Sequence, residues 1–139
     1  MNEHSKNKII NNVKKILLND ENVIFAYIFG SYARGETHRF SDIDIAVFLK
    51  EYSIDKEFEL LDKLSPAIPI EIDLIILNNA PPLLRHKVLS EGILLFCKDD
   101  DVHYKFMSNT LIEALDFKEA YKIIIEGYRE RLHAGRKNS

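Results

Sequence analysis

The chain has 139 residues, 46% of them hydrophobic and 29% charged, which is globular composition at the length of one domain. A net charge of −3 and a pI near 5.9 argue against a sequence-independent grip on nucleic acid, so no direct nucleic-acid binding is expected. The lone cysteine, Cys97, excludes an internal disulfide.

In chain order, Ile9, Ile10, Val13, Ile16 and Leu17 recur at helical spacing and predict an amphipathic helix over 6–19. "VIFAYIF" (23–29) is β-branched and aromatic, the signature of a buried strand. "SDIDIAVFL" (41–49) alternates, with Ile43, Ile45, Val47 and Leu49 on one face and Asp42 and Asp44 on the other. A second helix is expected over 55–65, ended by Pro66 and Pro69. A third strand follows over 70–77, with Glu71, Asp73 and Ile75 sharing a face. "PPLLRHKVLSEG" has proline at its start and glycine at its end, the order of a short helix. "ILLFC" is a fourth strand, in which Cys97 reads as a small buried hydrophobe.

From Asp100 onward Phe106, Leu111, Leu115, Phe117, Ile124, Tyr128 and Leu132 are dispersed among charges without proline. That predicts one long helix, or two joined near Leu115-Asp116-Phe117. The division expected is a core over 1–99 and a helical extension over 100–139. The order α-β-β-α-β-α-β with a helical tail implies an α/β (α+β) fold, a small sheet with helices on one face and the carboxylate face left open. The apolar runs are too short to cross a bilayer, and "MNEHSKNK" has no secretory apolar region, so a cytoplasmic protein is expected.

The stretch "GSYARGETHRFSDID" carries the chemistry. It is not a dinucleotide fingerprint, because the second glycine of G-x-G-x-x-G is missing. Gly30 and Gly35 have P-loop spacing, but Glu36 and Thr37 stand where that motif needs Lys and Ser/Thr, and a carboxylate would repel the phosphates. The pattern that remains is a strand ending at Gly30-Ser31, whose amides and hydroxyl hold a phosphate, followed by a carboxylate pair on the next strand. Asp42 and Asp44, two apart on a strand, emerge on one face roughly 6 to 7 Å apart at Cα. Anions so close call for a cation, and hard oxygen ligands suit Mg²⁺, with Asp73 as a third ligand from a neighbouring strand. Alternating aspartates alone are ordinary solvated residues. Their conjunction with a Gly-Ser turn ten residues upstream is much rarer, and it fits a two-metal phosphoryl or nucleotidyl transfer site.

Gly30-Ser31, ten residues, then Asp42-x-Asp44 resembles the signature of the polymerase-β-like nucleotidyltransferase superfamily. The fuller "GSYARGETHRFSDIDIAVFL", with "EIDLIIL", "LLRHKVLSEGILLF" and "EALDFKEAYKIIIEGYRERL", is similar to its minimal-nucleotidyltransferase branch, the MntA-type antitoxins paired with HEPN-domain toxins. The resemblance covers nearly the whole chain. It implies a small mixed sheet flanked by helices, two Mg²⁺ ions held by Asp42 and Asp44, and ATP as substrate. Asp73 would be a further ligand or the base, Gly30 and Ser31 would hold the β/γ-phosphates, and Arg34 and Arg39 would neutralise phosphate charge. It also implies transfer of AMP to a hydroxyl of a cognate HEPN toxin, a ribonuclease that is thereby silenced. The apolar residues of the tail, too many for a solvated helix, separately predict a homo- or hetero-oligomer through the C-terminal helices. Two rivals stand beside this reading. One is an antitoxin that neutralises by binding alone; the other is transfer to a small molecule, for which no second domain is evident.

Overall fold

The computed structural model describes residues 3–35, 42–115 and 118–137. Arg39 and Ser41 therefore lie outside the described residues, as does the Asp116-Phe117 junction. The elements are α1 (Glu3–Leu18), β1 (Val23–Phe29), α2 (Ser31–Arg34), β2 (Ile43–Leu49), α3 (Ile54–Leu64), β3 (Ile72–Ile76), α4 (Pro82–Glu91), β4 (Ile93–Cys97), α5 (Asp100–Leu115) and α6 (Lys118–Lys137). Among the described residues no helix is long and apolar enough to cross a membrane.

The four strands form one mixed sheet in the order β3-β2-β1-β4. β1 runs antiparallel to both β2 and β4, whereas β2 and β3 are parallel. A parallel pair needs a long crossover, and α3 supplies it between β2 and β3. Ser53 caps that helix, its hydroxyl accepting from the Lys56 amide at 3.2 Å. At the far end of β2, Asn78 brackets the backbone of Leu49, accepting from its amide and donating to its carbonyl at 2.8 Å each.

The inward positions of β2 explain the first core. Ile43, Ile45, Val47 and Leu49 all point to one face, where Ile9, Val13 and Leu17 of α1 and Leu60 and Leu64 of α3 bury them. Burying each such side chain contributes about 1.5–3 kcal/mol.

The α/β class stands, but helices cover both faces of the sheet, a correction to the expectation of one. Phe25, Tyr27, Ala46 and Phe48 face the other way, and Val88 of α4 and Phe106 of α5 close over them. The reason is area: three large rings on one face cannot be left in water. Phe106 sits 5.2 Å from Phe25 and 5.5 Å from Phe48 between ring centres. Tyr27 and His103 of α5 complete the seam, with the Tyr27 hydroxyl 2.6 Å from His103 Nε2. Arg85 joins α4 to α5 by donating to the Ala80 carbonyl at 3.0 Å and the buried Thr110 hydroxyl at 3.3 Å, and by pairing with Glu113. Among the described residues the carboxylate face is open at its other end, where Asp42 and Asp73 are exposed.

Candidate active site

The site forms where β1 stops. After Phe29 the backbone turns at Gly30, with φ +69° and ψ −146°, a conformation that L side chains rarely adopt. A Cβ there would also overlap the Asp44 carboxylate, so Gly30 is required both by its dihedral and by its neighbour. Ser31 begins the single helical turn of α2, which closes with the Arg34 amide donating to the Gly30 carbonyl at 3.1 Å. Gly35, at φ +75°, ends it in the left-handed region, its amide donating to the Ser31 carbonyl. Tyr32 anchors this turn, buried to 2% exposure in the α1 layer.

Register brings the carboxylates to that turn. Asp44 pairs with Phe29 across β1–β2 and with Asp73 across β2–β3. Neighbouring strands lie about 4.8 Å apart, so the Asp44 and Asp73 side chains leave one face side by side. Burial first, then Asp73, which both repels it and shares a hydrogen bond with it, then Asp42, push the Asp44 carboxyl above the ordinary carboxylate range. Arg34 pulls in the opposite direction. Thus Gly30, Ser31, Arg34, Asp42, Asp44 and Asp73 converge on one sheet end, while Arg39 lies outside the described residues.

Lys6 was not anticipated. The ammonium of this α1 residue stands 3.8 Å from the position a Cβ on Gly35 would take, so α1 adds a cation to the turn. No local pattern marks it, since it sits far upstream among ordinary helix charges.

The donor set suits a hard divalent cation. Repulsion within the carboxylate group is what such an ion relieves, and every donor is oxygen. Among the described residues no three His, Cys, Asp or Glu side chains already close into a cage. Mg²⁺ usually takes only one or two carboxylates and completes its shell with phosphate oxygens and water. A groove of about 490 Å³ lined by Asp20, Lys50, Lys56 and Lys63 lies at the opposite end of the sheet and has no part in this arrangement.

Residues 11–101 match the family described as polymerase beta, nucleotidyltransferase. The chain belongs to that family. The transferase is also 36% identical over 107 residues to the protein adenylyltransferase MntA of Shewanella oneidensis, spanning 73% of this chain and 71% of that one. A chain in the crystal structure of a toxin-antitoxin with AMP-PNP superposes with a TM-score of 0.70 at 30% identity, covering 86% of this transferase and 98% of that chain. Another, from tri-AMPylated Shewanella oneidensis HEPN toxin in complex with MNT antitoxin, gives 0.66 at 25% identity, covering 89% and 98%. The resemblance read from the Gly-Ser and Asp-x-Asp pattern therefore holds, at the level of family and of fold.

Proposed function

We propose that this transferase is the antitoxin of a toxin-antitoxin pair and moves AMP from ATP to a hydroxyl of its cognate HEPN-domain toxin. The observation that carries it is the in-register Asp44–Asp73 pair with the Gly30 turn packed against Asp44. Similarity to a protein adenylyltransferase and to chains from toxin-antitoxin complexes, one with an AMPylated toxin, supports the choice of acceptor.

In this reading the amides of the Gly30-Ser31 turn and the Ser31 hydroxyl hold the β/γ-phosphates, and Arg34 and Arg39 offset their charge. Asp42 and Asp44 would hold Mg²⁺, with Asp73 as a further ligand or as the base, and the ion when bound would supply charge neutralisation at the transferring phosphate and the departing pyrophosphate. The acceptor oxygen forms a bond to the α-phosphorus while the bond from that phosphorus to the pyrophosphate oxygen breaks, and the hydroxyl proton passes to Asp73 or to solvent. The open end of the sheet lets a protein deliver that hydroxyl, since orientation is the main thing it must supply. Residues 1–99 form the transferase core in this proposal, 100–139 form the extension that meets the partner, and the pair works in the cytoplasm.

Incubating the purified pair with α-labelled ATP and Mg²⁺ tests the reading. Label on the toxin, lost with Asp42→Asn, is expected. Full neutralisation of an unlabelled toxin would instead establish inhibition by binding alone.

A further inference from the structure

The helix α6 meets the rest of the protein chiefly through α5. Tyr121, Ile125, Tyr128 and Leu132 are spaced four, three and four residues apart, the rhythm of a helical seam that faces another helix. Most of it faces solvent: Tyr121 and Tyr128 are each 55% exposed and Leu132 46%, while Ile125 is partly buried. Exposed aromatic and aliphatic side chains in a continuous stripe, rimmed by charges, mark a surface for a partner.

The charges around the seam identify which. At about 100° per residue, Lys122 and Arg129 fall on one flank of the stripe and Arg131 on the other, whereas Glu126 and Glu130 fall behind it. The 118–137 stretch has six Lys or Arg against three Glu, in a chain whose net charge is −3. A second copy does not fit, because parallel pairing sets the Lys122 and Arg129 flank against the Arg131 flank, and antiparallel pairing sets each basic flank against its own counterpart. Either arrangement stacks like charges along the seam. Tyrosines in the centre with arginines at the edge are also the composition of a protein-binding surface.

We propose that α6 docks a helix of the partner protein whose apolar stripe is flanked by Asp and Glu. The inference rests on the reading that a partner protein is the acceptor, and it names the chemistry by which that partner is held. Docking there would fix the acceptor to the transferase without contact at the carboxylates.

Two helical peptides of about three heptads, both with Leu along the seam, one flanked by Glu and the other by Lys, supply the probes for titration against the full chain. The Glu-flanked peptide should bind, with the Lys-flanked one about tenfold or more weaker, and the difference should shrink as salt is raised. Arg129→Glu combined with Arg131→Glu should invert the preference while circular dichroism stays that of the parent. Equal affinities, no binding of either peptide, or an α6-mediated dimer of the chain alone that Tyr128→Glu dissolves would each overturn the proposal. Transfer of AMP is read separately: transfer without peptide discrimination removes the docking proposal alone, and discrimination without transfer removes the function alone.

Discussion

Gly30 packs so closely on Asp44 that a Cβ at position 30 would meet the carboxylate. Gly30→Ala would place a methyl group on the Asp44 carboxylate in a backbone conformation that itself costs about 1–3 kcal/mol for a residue with a Cβ. A lowered melting temperature together with lost transfer is expected, and a variant with unchanged melting and full transfer would refute the packing described. Asp44→Asn should behave differently. It removes repulsion from Asp73 and Asp42, so the fold should melt no lower than the parent in EDTA, while turnover falls by about two or more orders of magnitude because a charge-stabilising group is gone. If the Gly30 turn and Arg34 hold the phosphates as proposed, Asp73→Asn should keep measurable ATP binding and lose transfer. Equilibrium binding of a labelled ATP analogue, set beside turnover, separates the two.

Among the elements, α5 is held to the sheet by a titratable pair. Burial pushes the His103 imidazole below its usual 6.5, with Asp100 opposing, and pushes Tyr27 up to about 12. The depressed imidazole means that the unfolded chain takes up a proton first as pH falls. The stability from a neutral His103 beside the Tyr27 hydroxyl is therefore complete above 6.5 and declines below it, towards the depressed folded value. Thermal melts between about pH 7 and 5 should show this decline in the parent, and His103→Gln should flatten it; equal slopes would show that His103 is not the group responsible. The strands were legible in the sequence, and β1 and β4 keep their expected bounds because uninterrupted β-branched and aromatic runs are edged by turn residues. The placement of α4 and α5 was not legible. Periodicity shows that a helix has an apolar side but not which sheet face receives it, and the Tyr27–His103 bond joins residues 76 apart. The same holds within the site: Asp42, Asp44, Asp73 and Gly30 could be picked out by type and spacing. The Asp44–Asp73 register, the closeness of Gly30 to Asp44 and the arrival of Lys6 are long-range facts.

At the scale of the whole molecule, the proposed function places chemistry and recognition on different parts of the chain. Three carboxylates and the Gly30 turn lie at one open sheet end, and a helix with exposed tyrosines and arginines lies in the tail. Such a centre acts on whatever hydroxyl is held in line with the α-phosphate, so identity of the acceptor must come from a docking surface. The most direct test is the intact mass of the toxin after co-expression with the parent chain or with Asp42→Asn. The account predicts a toxin heavier by one or more AMP units, and no longer toxic, with the parent only. An unmodified toxin that is nonetheless silenced, by the parent and by Asp42→Asn alike, would contradict it.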